Sequence, residues 1–277
     1  MAILFALGSS AVWGVSDYLG GVFSRRHALA GVTLVSQATG FVGLLVWLAA
    51  TGFHVDGRAF GFGLLAGIGG GSGLALFYRA LAVGTMSVVS PVAACGALVP
   101  FALALAGGER PSTFVLTGAV VALGGAVLAS ADEHRAEDAG RRKGALLAIA
   151  AAVVLGLFLY FLGRGGQHGE ALSALVGARV GSLTLLAIWA AATRAPARLD
   201  RTALPAVAGI GLLDVSANAL FVLASARGYL SIVSVLGSLY PIATVLAAYA
   251  LLGERINRVQ RVGVALALAG VAVVAAG

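Results

Sequence analysis

The chain has 277 residues, 60% of them hydrophobic and only 10% charged, with a mean hydropathy of +1.01. A soluble domain carries about 25% charged residues because its surface must be wet, so this composition excludes a water-soluble globular protein and calls for lipid as the outer surface. The net charge of +7 comes from Lys and Arg scattered in short loops between apolar runs, a pattern that sets membrane topology and leaves no basic patch for nucleic acid.

A membrane-crossing helix needs about 20 mostly apolar residues to cross a core ~30 Å thick. The first half supplies five such runs: Ala2 to Gly21, Ala30 to Thr51, Ala59 to Ala82, Ser87 to Gly107 and Thr113 to Ser130. No Lys or Arg precedes the first run, unlike a cleaved secretory signal with its basic leading segment, so that helix is expected to stay. The strongly polar stretch Asp132 to Lys143 follows. Five more runs complete the chain: Gly144 to Gly163, Leu172 to Ala192, Leu204 to Ala226, Tyr229 to Leu252 and Val259 to Ala276. The fold class expected is an all-α membrane protein of ten transmembrane helices, with no room for a separate soluble domain.

The halves resemble each other. Residues 75–90 and 219–234 agree at nine of sixteen positions, among them Phe77/Phe221, Gly84/Gly228, Ser87/Ser231 and Ser90/Ser234. Gly108-Glu109-Arg110 returns as Gly253-Glu254-Arg255, Gly118 and Gly125 return as Gly263 and Gly270, and Gly14, Tyr18 and Gly21 return as Gly156, Tyr160 and Gly163. The expected organisation is a first repeat at 1–131, a charged linker at 132–143 and a second repeat at 144–277. Five is odd, so the second copy enters the membrane inverted, which places a site at the midplane between the halves. Twelve Lys and Arg fall in loops on one side against four on the other, which puts both termini outside the cytoplasm.

Both Gly-Glu-Arg junctions, Trp13-Gly14 in the first run, Ala80-Leu81 ahead of the fourth, and Pro91 and Pro241 within the fourth and ninth resemble the EamA family of the drug/metabolite transporter superfamily. The resemblance extends over essentially the whole chain in two copies. It implies two inverted five-helix repeats around a central cavity and transport of a small metabolite, often export. Relatives are described with both termini cytoplasmic, opposite to the charge count.

Ionisable residues within apolar runs cost about 2.5–3.5 kcal/mol to insert, so each demands a reason. Asp17 in the first helix reads as a coupling carboxylate or a ligand for an amine, or else as an interfacial acid paired with Arg25 or Arg26. Asp214 sits mid-helix in the eighth, with Asn218 on the same face; it reads as a pocket acid or as half of a packing ion pair. Arg179 in the seventh helix matches Gln37 in the second and reads either as an anion ligand or as the partner of Asp214 or Asp17. Trp13, Tyr18, Tyr78, Tyr160 and Tyr240 are candidate cavity aromatics, and Ser90 and Ser234 candidate hydroxyls. Pro91, Pro100 and Pro241 are candidate hinges, and Glu109 and Glu254 read as caps or gate charges at the membrane surface.

The glycine run Gly67 to Gly73 lacks the Lys and the preceding strand of a phosphate loop and reads as a helix-packing surface. Cys95 stands alone, which excludes an internal disulfide and a cysteine metal cluster. His134 in the linker reads as a solvated side chain, so neither a metal nor any other cofactor is expected. No catalytic group set is evident, and the chain is not expected to be an enzyme. The functional expectation is a secondary transporter of an amino acid, amine or similar metabolite. It would be a multi-pass protein of a bacterial plasma membrane, monomeric or homodimeric, exporting by alternating access with protons as an optional coupling ion. The alternatives are an uncoupled facilitator and a non-transporting accessory subunit.

Overall fold

The computed structural model describes residues 1–24, 26–52, 56–83, 92, 95–129, 141–240, 242–243 and 257–277. All regular structure among them is helical. The helices are α1 (Ala2–Ser24), α2 (Leu29–Thr51), α3 (Gly57–Val83), α4 (Leu98–Ala106, entered through a 3-10 turn at Cys95–Ala97), α5 (Thr113–Ala129), α6 (Arg141–His168), α7 (Ala171–Thr193), α8 (Leu204–Ser225), α9 (Leu230–Gly237) and α10 (Arg258–Ala276). Among the described residues seven helices, α1, α2, α3, α6, α7, α8 and α10, are long and apolar enough to cross a membrane. The runs Cys95–Ala106 and Thr113–Ala129 are shorter apolar helices. The expected fourth and ninth spans lie partly outside the described residues. Helix is what lipid dictates, since a hydrocarbon core satisfies no backbone N–H or C=O from outside the segment.

The ends are marked by local chemistry. The α2 helix stops at Gly52, whose φ of 78° suits a residue without a Cβ. Pro205 lies in the first turn of α8, where its missing N–H would have had no partner. Asn257 and Gln260 form a reciprocal capping box ahead of α10.

Helices of the two halves interleave. The α3 helix lies along α6 and α7, α8 lies along α1 and α2, and α5 runs against α10. Exchanging each helix for the one five places away leaves that list unchanged. Small residues allow the close approaches, as they must where lipid supplies no hydrophobic drive for association. A Cβ on Gly181 would sit 2.5 Å from the Leu64 carbonyl, and one on Gly40 would sit 2.7 Å from that of Gly211. In the α5/α10 seam, a Cβ on Gly118 would lie 2.9 Å from the Gly270 oxygen and one on Gly125 2.6 Å from that of Gly263. The glycine run of α3 is a packing surface as its sequence implied, with Gly67 and Gly71 against α7 and Gly69, Gly70 and Gly73 against α6.

Serines fasten the α1/α8 seam: Ser9 Oγ donates to the Ala217 carbonyl at 2.8 Å and Ser16 Oγ to that of Ile210 at 3.2 Å. The chain termini and the α4–α5 and α8–α9 turns gather at one end of the bundle, where Ala2, Arg110, Gly228 and Gly277 line one crevice. At the other end His27 approaches Asp200 at 3.6 Å.

Candidate functional site

Asp214 lies ten residues into α8, about 15 Å along the axis and so near the middle of a ~30 Å core. Arg179 of α7 reaches it: Nη2 donates to Asp214 Oδ2 at 2.6 Å. Its Nη1 donates to Gln37 Oε1 on α2. Gln37 Nε2 closes the triangle on Asp214 Oδ2 at 3.4 Å, and Ser182 Oγ adds a bond to Gln37 Oε1 at 3.1 Å. The Arg179 side chain is 5% exposed and that of Asp214 24%. A buried guanidinium has to find acceptors or lose its hydration uncompensated, and here its two alternatives in the sequence are decided in favour of Asp214.

Asn218, one turn along α8, donates Nδ2 to the Asp214 carbonyl at 2.6 Å. Its Oδ1 is buried and has no partner. Ser234 Oγ is likewise buried and unpartnered.

Asp17 stands differently. Asp17 is an exposed residue of α1. It is close enough to Asp214 for the two carboxylates to repel, and close enough to Tyr240 to act on its hydroxyl electrostatically. Among the described residues no group donates a hydrogen bond to Asp17 and no cation stands against it. Pairing with Arg26 at the interface is not what the structure shows, and Arg25 lies outside the described residues.

The site therefore draws on α1, α2, α7 and α8, with Tyr240 just beyond α9. The sequence named Asp17, Asp214 and Arg179 as candidates but gave Gln37 no role of its own. The signal was there: Gln37 is the sole amide side chain of α2, and it matches Arg179 in the other half.

The other candidates are spread out. Trp13 is 7% exposed and lies between Phe221 at 5.6 Å and Phe158 at 6.3 Å, inside an aromatic cluster. Tyr160 meets Phe161 edge-on at 5.5 Å, and Tyr18 is half-buried on α1.

A second polar cluster sits at the end of the bundle that holds the termini. Glu109, in the α4–α5 turn, accepts from the Leu230 N–H at 2.7 Å, from the Ser231 N–H at 2.9 Å and from Ser231 Oγ at 2.7 Å. Its carboxylate caps the start of α9, where the first N–H groups have no partner within the helix and the dipole favours an anion. Gln167 Nε2 of α6 reaches it at 3.5 Å, and Arg164 holds Gln167 Oε1 at 3.3 Å. The sequence read Glu109 as a cap or a gate charge; here it caps α9, and the contact joins the two halves of the chain.

Residues 142–276 match the model of the EamA-like transporter family. This half of the chain belongs to that family. Among solved structures 29 chains match. One crystal structure of a protein superposes with a TM-score of 0.80 over 99% of this chain and 98% of that one, at 18% identity, a likeness that speaks for the fold alone. No curated protein matches the chain.

The family match over residues 142–276 and the apolar helices make the chain a multi-pass membrane protein. Of its candidate hinges, Pro100 is buried in the first turn of α4, where a proline costs no helical hydrogen bond. Pro91, Pro241, Ser90 and Glu254 lie outside the described residues, as does the Tyr78 side chain. Among the described residues no group of His, Cys, Asp and Glu has the arrangement of a metal site.

Proposed function

We propose that the chain is a secondary transporter that carries a small metabolite, an amino acid, amine or similar molecule, outward across a bacterial plasma membrane by alternating access. The observation that carries this reading is Asp17. It is an exposed carboxylate within a helix long and apolar enough to cross a membrane, with no cation beside it among the described residues, whereas Asp214 is paired with Arg179. An uncompensated intramembrane carboxylate is too costly to keep without use, and a proton or a substrate cation supplies the compensation.

Support for two inverted five-helix repeats comes from the exchange symmetry of the helix contacts and from the meeting of matched residues, Arg179 with Gln37 and Gly118 with Gly270. Such symmetry lets one sequence form two states related by a pseudo-two-fold rotation, open to either side of a midplane site. The Gly-Glu-Arg junctions then serve as surface fastenings that alternate between those states.

The test is flux in proteoliposomes under an imposed pH gradient. Wild-type flux is expected to respond to the gradient, and Asp17→Asn to remove the response while downhill exchange continues. If Asp17→Asn and Asp214→Asn both retain the gradient response, neither carboxylate couples protons. A purified protein that moves no solute in any direction ends the transporter reading itself.

A further inference from the structure

We propose that the crevice at the end of the bundle holding the termini binds one anionic phospholipid, with Arg110 on its phosphate and an acyl chain between α1, α5, α9 and α10. This site stands apart from the transporter reading and does not rest on it.

Its position sets the kind of occupant. Both α1 and α10 are long and apolar enough to cross a membrane, and the crevice is lined by the first turn of α1 and the last of α10, at Ile3 and Val274. A helix that spans the hydrocarbon core ends at the headgroups, so the mouth lies at headgroup level. From there the crevice follows α9 from Tyr229 to Leu236, about 10 Å along the helix axis. Its volume is about 270 Å³; an apolar cavity of ~150 Å³ already stays dry and takes up benzene.

The depth and the mouth differ in chemistry. Ile3, Val115, Ile232, Leu236 and Val274 give the crevice apolar walls. Arg110, Ser112 and Tyr229 also line it and are exposed. Arg110 Nη1 donates to the Leu105 and Glu109 carbonyls at 3.0 and 2.9 Å. That anchors the guanidinium at the turn and leaves the N–H groups of Nη2 and Nε for a ligand. Among the described residues no carboxylate pairs with Arg110; Glu109 beside it holds the start of α9 instead. A second cation, Arg227, adjoins Gly228 of the lining and lies 5.2 Å from the centre of the Phe5 ring of α1. Gly277, the last residue of the sequence, lines the crevice too and sets one carboxylate against these two guanidiniums.

An occupant that suits both regions carries an apolar chain inward and a net negative group outward. An anionic phospholipid has both, and basic pockets between membrane helices hold such headgroups. A zwitterionic phospholipid has the same chain and phosphate but adds a cation beside Arg110 and Arg227. Free phosphate has no chain for the apolar walls. Since α9 forms one wall and is the helix that Glu109 caps, the lipid braces the contact between the halves at this end.

Native mass spectrometry of the full chain in a neutral detergent tests this by giving a Kd for the first lipid bound. Phosphatidylglycerol and phosphatidylcholine of identical chains are compared, with inorganic phosphate as a competitor. The wild type is expected to prefer phosphatidylglycerol about tenfold or more, the usual worth of a hydrogen bond to a charged group. Arg110→Gln should bring that preference down to about twofold or less and leave phosphatidylcholine unchanged, whereas Arg110→Lys keeps the charge and should keep the preference. Ile3→Trp puts a ring into the crevice and should weaken both lipids about tenfold. Unfolding in lipid-free detergent, where all three variants are expected to match the wild type, separates loss of lipid from loss of the fold.

Equal affinities for the two lipids in the wild type overturn the proposal. A preference that survives Arg110→Gln does so as well, because the anion is then held elsewhere. Unchanged affinities in Ile3→Trp would place the chain outside the crevice. Displacement of phosphatidylglycerol by an equal concentration of inorganic phosphate would make this a site for a free anion, and the lipid assignment would fall.

Discussion

Arg179 donates to Gln37, and the two hold the same position in the two halves of the sequence, 142 residues apart. One is a guanidinium and the other an amide, and both donate to the Asp214 carboxylate.

Removing Arg179 should therefore be worse than removing the pair. Arg179→Met leaves Asp214 an uncompensated charge and is expected to cost about 3–5 kcal/mol of stability, whereas Arg179→Met with Asp214→Leu should recover most of it. Thermal unfolding in detergent checks this. A double variant as unstable as the single would mean the ion pair is not the reason.

The α5/α10 seam makes a second contrast. Gly125 has no room for a methyl group, since its Cβ would lie 2.6 Å from the Gly263 oxygen, while nothing lies within 4 Å of Gly124. Gly125→Ala is expected to cost about 1–3 kcal/mol through overpacking. Gly124→Ala should be neutral or slightly stabilising through helix propensity. Melting temperatures of the two variants, purified in parallel, decide the matter; equal values would remove the seam from the account.

Glu109 should matter more than its neighbour. Glu109→Ala breaks three hydrogen bonds to the start of α9 and is expected to lower stability by about 2 kcal/mol. Arg110, exposed and bound to the carbonyls of Leu105 and Glu109, should change it by about 0.5 kcal/mol or less when replaced by Ala. Unfolding of both variants, with Ser231→Ala as an intermediate case, gives the ranking.

Trp13 supplies a fourth check. Buried between Phe158 and Phe221, it should cost about 3–5 kcal/mol on replacement by Ala, and Trp13→Phe much less. A Trp13→Ala variant of unchanged stability but altered flux would instead place this ring in the substrate path.

Some of this was legible in the sequence because lipid enforces it. With 10% charged residues the chain has to face hydrocarbon, hydrocarbon forces its backbone into helices, and the helices α1, α2, α6, α7, α8 and α10 fall where the apolar runs are. Asp17, Arg179 and Asp214 stood out because a charge in an apolar run is costly wherever it sits. Partnership was not legible. Arg179 had two carboxylates in reach of a plausible reading, and choosing Asp214 over Asp17 depends on how α7 and α8 cross, which no local pattern encodes. Gln37 is the same case: an unremarked amide in α2 becomes the hinge of the network only when packing brings α2, α7 and α8 to one level. Glu109 was recognisable as a cap by its place before a helix, but the helix it caps, α9, lies 121 residues away. Composition and period fix what each segment must be; which polar groups meet is decided by helix crossing, where glycines let backbones touch and buried charges select the partners that remain.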